Sequence, residues 1–238
     1  MADNSHIGLG RQVALERKIS ILANNVANIS TAGYKAQHLL FSEFISPHDG
    51  SKSVQARTTY RDLSQGAIKP TYNELDFSIQ GDGYFAVQAP DGIRYTRNGS
   101  FSLDGAGGLV TREGYSVLDD NGNPLTVPPG ATRITAAADG TLSTDQGTLG
   151  KLKLAMFDNQ QSLTPTGNSF YDAGTQTEKT IDNPKVMQGM LESSNVNATR
   201  ELIEITQVSE AYKATQNQQT SDHQRAESMI QILTGLKT

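Results

Sequence analysis

Leu15-Glu16-Arg17-Lys18-Ile19-Ser20-Ile21-Leu22-Ala23-Asn24-Asn25-Val26-Ala27-Asn28-Ile29 places apolar side chains at Leu15, Ile19, Leu22, Val26 and Ile29. That alternating three- and four-residue spacing is one stripe of a helix and the spacing of a coiled-coil seam. The same rule near the other end of the chain generates Ile205, Val208, Tyr212, Thr215, Gln219, Asp222, Ala226, Met229, Leu233 and Leu236. The second stripe is apolar except at Thr215, Gln219 and Asp222. A helix from Asn197 to Leu236 would be roughly 60 Å long at about 1.5 Å per residue, a rod that needs partners along its length. Asn197 suits its cap, and Glu201 and Glu204 fall in the first turns, where the helix dipole favours negative charge.

Burying five stripe residues does not by itself offset the entropy of ordering the N-terminal segment. Both ends are therefore expected to be disordered in an isolated monomer and to fold on association. The alternative is a helical hairpin closed within one chain. The polar stripe positions either fix register, as isolated polar seam residues do, or face a water-filled channel. Asn24, Asn25 and Asn28 are expected to supply hydrogen bonds to neighbouring helices.

Between the helices the sequence reads as strands and turns. Asn28 to Lys35 resembles a helix stop, with Gly33 available for the left-handed conformation. Residues 36–74, broken by Pro47, Gly50, Gly66 and Pro70, read as an extended connector anchored by Phe41 and Phe44. From Leu75 the period becomes two: Leu75, Phe77 and Ile79 alternate with polar neighbours, and Phe85 and Val87 resume after Asp82-Gly83, a hairpin with one face buried. Asp91-Gly92, Asn98-Gly99, Asp104-Gly105, Asn121-Gly122 and Asp139-Gly140 repeat the chemistry of tight hairpin turns. The expected fold is α+β: helices from 1–35 and 195–238 pairing as a coiled-coil-like domain, an antiparallel β domain at 75–185 inserted between them, and a return linker at 186–194.

Composition removes several functional classes. The net charge of -5, with no basic block, argues against a nucleic-acid partner. Without cysteine there is no disulfide framework and no thiolate zinc site. No stretch is apolar enough for membrane insertion, and Ala23, Asn24, Asn25 and Asn28 interrupt any run resembling a cleavable signal peptide. Ser221, Asp222 and His223 are the residue types of a hydrolase triad, yet consecutive helix residues point about 100° apart and cannot form a relay. His6, His38 and His48 lack the spacing of a helical metal site. Asp119 to Asn123 begins like a calcium loop, but Pro124 and Gly130 occupy the positions of the required glycine and the bidentate acid. Gly105 to Gly108 opens no helix and is no phosphate loop. The sequence thus offers no catalytic residue, no cofactor and no metal site.

The run Leu22-Ala23-Asn24-Asn25-Val26-Ala27-Asn28-Ile29-Ser30-Thr31-Ala32-Gly33-Tyr34-Lys35 resembles the motif of the axial proteins of the bacterial flagellum, the rod and hook proteins. Ser30 and Ala32 stand where that family often has Asn and a second Thr. Leu75 to Phe85, Arg94 to Phe101 and Gly189 to Val196 are similar to later segments of the same family, so the resemblance covers nearly the whole chain. Gly8 to Gln12 and Tyr60 to Gly66 are most similar to the proximal-rod branch, with the distal-rod branch next. The resemblance implies a structural subunit of the basal-body rod crossing the periplasm. Its terminal helices would form an inner tube around an export channel, and its β domain an outer shell. Its partners would be copies of itself, other rod proteins and, in transit, the flagellar type III export apparatus. A β-rich adhesin on a helical stalk and a polysaccharide-acting enzyme are the rival readings; the first would show an unbroken seam on one side of the β domain, the second convergent carboxylates.

Overall fold

A computed structural model describes residues 2–45, 52–131, 133–181 and 183–235, without the side chains of 2–7, 41–45, 52–57, 233 and 234. The chain forms two units, one drawn from Met1–Ala27, Gln37–Arg61 and Asn197–Thr238, the other from Asn28–Ala36 and Asp62–Val196.

In the first unit, α1 (Ala2–Ala27) packs on α2 (Ala198–Gly235) and on a hairpin of β1 (Gln37–Ile45) and β2 (Lys52–Arg61). The cap of α2 is Asn197, whose Oδ1 accepts the Arg200 N–H at 3.1 Å. The hairpin occupies much of the stretch expected to be a connector. Its strands pair antiparallel from Gln37↔Arg61 to Ile45↔Lys52, with a register shift between Leu40 and Phe41. The extra residue is Arg57 on β2, which breaks that strand's two-residue period, while the consecutive Leu39, Leu40 and Phe41 blur the alternation of β1.

The second unit is the β-rich middle of the chain. Its strands are β3 (Ile68–Pro70), β4 (Phe77–Ile79), β5 (Tyr84–Ala89), β6 (Gly92–Thr96), β7 (Phe101–Leu103), β8 (Leu109–Thr111), β9 (Ser116–Val117), β10 (Ile134–Ala136), β11 (Thr141–Thr144), β12 (Gly147–Lys151), β13 (Leu154–Met156), β14 (Thr164–Gly167), β15 (Phe170–Asp172), β16 (Lys179–Thr180), β17 (Val186–Gln188) and β18 (Met190–Glu192). The main sheet runs β14-β15-β6-β5-β9-β8-β7, with β13 joining β5 and β16 joining β13. Separate antiparallel groups are β10-β11-β12, β17-β4 and β18-β3.

Three local expectations are corrected. β4 and β5 do not pair with each other: β4 pairs with β17, Ile79 opposite Val186, while β5 pairs with β6, β9 and β13. Gly81 and Gly83, both at positive φ, carry the chain away from β4 instead of folding it back. β5 is buried on both faces, Phe85 and Val87 in one core with Phe77, Ile79, Phe101 and Leu152, Tyr84 and Ala86 in another with Tyr95, Leu118, Phe157 and Tyr171. Asn98-Gly99 is not a hairpin turn: the Gly99 carbonyl accepts the Phe77 N–H at 2.9 Å, and a Cβ on Gly99 would lie 1.8 Å from the Phe77 carbonyl oxygen. The stretch 186–194, expected to be a linker, supplies β17 and β18, which close β4 and β3. Asp119 to Asn123 is a turn held by Asp119, whose Oδ1 accepts the N–H groups of Asn121 and Asn123 at 3.0 and 2.7 Å, and tied to the sheet by the Asp120 N–H on the Lys151 carbonyl at 2.9 Å.

Candidate functional site

The helix pair of the first unit contains most of the residues expected to mediate assembly. Gln12 Nε2 donates to the Tyr212 hydroxyl at 3.0 Å, Lys18 Nζ meets Glu204 Oε1 at 2.6 Å, and Asn25 Nδ2 donates to Glu201 Oε2 at 3.0 Å. Moving forward along α1 moves backward along α2, so the helices are antiparallel. Gly8 faces Gln219, and a Cβ there would lie 3.0 Å from the Gln219 amide nitrogen. Leu22, Val208 and Thr215 are buried, and Leu15, Ile19, Val26, Ile205, Tyr212 and Gln219 are half-buried.

The stripe differs from the expected one at its edges. Asn25 has no solvent exposure, whereas Asn24 is exposed. Asn25 holds both polar groups of the Gln37 backbone, donating to its carbonyl and accepting its N–H, each at 2.9 Å. Ala14 and Ile21, outside the seam, are buried as well, because α1 packs on the hairpin in addition to α2. Thr215 returns its hydroxyl to the Ala211 carbonyl at 2.9 Å, which lets a polar residue sit in a buried position. Asn28 and Ile29 lie beyond α1. Asn28 Oδ1 accepts the Thr31 hydroxyl, and Ile29 packs against a small core of Tyr34, Ala36 and Val196 in the second unit. Past Gln219, Asp222 and Met229 are exposed and Ala226 is half-buried. Leu236 and the Leu233 side chain lie outside the described residues.

The outward faces of both helices carry large apolar side chains. Leu9 and Val13 on α1 and Leu202, Ile203, Ile230 and Ile232 on α2 each keep more than half of their surface in water. His223 is also exposed, 3.2 Å from Glu227 one turn along. Among the described residues no group of three acids or histidines is arranged to hold a metal, and no helix is long and apolar enough to cross a membrane.

Within the β unit a second constellation, not foreseen from sequence, gathers the quoted motifs around Glu192. Its Oε1 accepts from Lys35 Nζ at 2.7 Å and from the Gly66 N–H at 3.1 Å, while its Oε2 takes Arg97 Nη1 at 3.4 Å. Its backbone carbonyl accepts the Gly33 N–H at 2.8 Å. Asn195 adds bonds to the Ala36 N–H and to the Asp62 and Ser64 carbonyls. The side chains of Lys35, Arg97 and Glu192 are at most 2% exposed. Burial pulls the Lys35 ammonium below the ordinary lysine pKa, and the Glu192 carboxylate offsets part of that shift. Two glycines permit the approach. Gly33, at φ +69, would bring a Cβ within 2.4 Å of the Arg97 backbone, and Gly66 within 1.9 Å of the Ser193 carbonyl oxygen.

Comparison with known proteins follows the same three segments. Residues 6–35 match the model of the flagella basal body rod protein family, 78–144 that of the flagellar hook protein FlgE/F/G D1 domain, and 187–232 that of the flagellar basal body rod FlgEFG protein C-terminal region. Each range contributes one member of the buried cluster, Lys35, Arg97 and Glu192 in turn. The flagellar basal-body rod protein FlgF of Caulobacter vibrioides is 33% identical over 97% of this chain and 98% of its own length. The FlgF of Mesorhizobium japonicum is 36% identical over 90% of this chain and 91% of its own length. A basal-body rod protein FlgG of Buchnera aphidicola subsp. Schizaphis graminum is 30% identical over 92% of this chain and 95% of its own length. With two terminal helices flanking an antiparallel β-rich middle, and with relatives matched from end to end, this chain belongs to the flagellar basal-body rod protein family, in its FlgF branch.

Proposed function

We propose that this chain is a structural subunit of the proximal rod, assembling helically through α1 and α2 with copies of itself and with other rod proteins. The observation that carries the reading is the outward apolar surface of the helix pair: Leu9, Val13, Leu202 and Ile203 lie on two helices whose facing sides are already used on each other. An apolar face that remains wet in one chain is an invitation to further chains. Stacking head to tail requires unlike patches on the two sides of a subunit, which two dissimilar helices provide.

In this reading the two helices pack as a coiled coil around the export channel, the β unit forms the outer cladding, and the assembly transmits torque. The helical ends are disordered in the monomer, and the chain passes through the flagellar type III apparatus. The FlgG relatives favour a second reading, a place in the distal rod. Complementation of a strain lacking this chain, with basal bodies imaged by electron microscopy, tests the proposal and separates the two. A proximal subunit leaves basal bodies with no rod when absent, a distal one leaves a rod stub, and intact rods with normal swimming would reject both.

A further inference from the structure

We infer that the buried Lys35–Glu192–Arg97 cluster is the closing clasp of the β unit, the last part to form and the first to open, so that the unit cannot close before the C-terminal segment has arrived. The inference concerns the β unit alone and stands apart from the rod assignment.

Three observations carry it. The first is sequence distance: Glu192 lies 157 residues from Lys35, 126 from Gly66 and 95 from Arg97, so its bonds close long loops of the unit. Contacts of that kind form after local hairpins such as β5-β6 and β11-β12, because the loop entropy must be lost before any bond is gained. The second is charge. Two cations share one carboxylate out of reach of water, so sealing the site before Glu192 is present would bury unpaired charge. The third is imperfection: Arg97 Nε is buried with no partner, and the Arg97 to Glu192 contact is long at 3.4 Å. A cluster with an unsatisfied donor is a weak point of the fold rather than its anchor.

The consequence is a completion check. A chain delivered amino end first exposes Lys35 and Arg97 long before Glu192. Until then β3 and β4 also lack β18 and β17. The segment from Asn28 onward stays open, and it shuts when residues 186–195 supply two strands and the shared anion together.

Native-state hydrogen exchange on the full chain tests this without any substitution. The amides of Gly33 and Gly66, which bond to Glu192, should exchange about 10-fold or more faster than those of Ala86 and Leu118 in the sheet core, through a separate opening. Exchange of both groups together, through one global opening, overturns the inference. Refolding kinetics followed by tyrosine fluorescence give an independent reading. Glu192→Gln should raise the unfolding rate by about 100-fold and leave the refolding rate within about twofold. If that variant does not fold, Lys35→Met, which keeps the Arg97 to Glu192 pair, should show the same partition at a smaller size. A loss falling mainly on the refolding rate, or no change in either rate, contradicts a clasp that closes last.

Discussion

Asn25 and Glu201 meet through a 3.0 Å hydrogen bond with both side chains buried, joining the C-terminal end of α1 to the first turn of α2. A buried carboxylate depends on its donors, and losing a bond to a charged group costs on the order of 1.5 to 3 kcal/mol. Asn25→Asp should disrupt the pair more than Asn25→Ala, because it removes the donor and sets a second carboxylate against the first. Swimming in soft agar and the yield of intact basal bodies would measure the loss. Combining Asn25→Asp with Glu201→Gln should restore the part of the loss that comes from the Glu201 contact, the Gln37 carbonyl still lacking its donor, and absence of any rescue would mean that the bond to Glu201 is incidental.

The seam makes a second prediction. Val208 is buried and Ile19 half-buried, so an aspartate at either site places a charge where an apolar surface closes. Val208→Asp and Ile19→Asp should abolish assembly and motility, while the near-UV circular dichroism of the β unit remains unchanged. Normal swimming by either variant would show that the pairing of α1 with α2 is not required for assembly.

Close approach at Gly66 sets up a matched pair. A methyl group there would meet the Ser193 carbonyl oxygen at 1.9 Å, whereas Gly105 has nothing within 4 Å of the equivalent point. Gly66→Ala should destabilise the β unit by more than about 2 kcal/mol in urea unfolding, and Gly105→Ala should stay within about 0.5 kcal/mol of the parent.

Acid sensitivity is expected at Glu178. Burial alone would raise the pKa of this carboxyl, but hydrogen bonds from Lys153 and from the Tyr95 hydroxyl outweigh it and hold the value below the ordinary 4.5. A carboxyl depressed in the folded state contributes stability above its unfolded pKa and loses it as pH falls through the folded one. Glu178→Gln should therefore cost about 0.5 kcal/mol at pH 7, a modest figure because the group is a third exposed and screened, and nothing measurable at pH 2. A difference that persists at pH 2 would place the effect in packing.

Hydrogen exchange on the monomer offers a fifth check. Fast exchange is expected through α1 and α2, and protection through the sheet. The structure moves the start of the protected region to residues 33–36, since Gly33, Tyr34, Lys35 and Ala36 are all buried in the β unit. Uniform protection of both helices in a verified monomer would contradict folding on association.

Legibility from sequence followed the reach of each interaction. The helical stripes and the cap at Asn197 were readable because their partners lie within one or two turns, and the strands around Tyr95, Phe101 and Leu154 because alternation is local. The β1-β2 hairpin escaped because the bulged Arg57 breaks the two-residue period of β2. The two-faced burial of β5 escaped because Tyr84 and Ala86 do not look like a second core until Phe157 and Tyr171 arrive from far along the chain. Lys35, Arg97 and Glu192 lie far apart in sequence, and no local pattern pairs them. The one available signal was that all three fell inside motifs quoted for another reason.

Because the Gly33 N–H reaches the Glu192 carbonyl at 2.8 Å, the two ends of the β unit are pinned to each other independently of the surface turns along it. Length can be added at such a turn without displacing either partner. A peptide epitope spliced at Asn121-Gly122, the exposed tip of a turn held by Asp119, would ride on every copy of the subunit, turning a polymer of this protein into a scaffold for regularly spaced display.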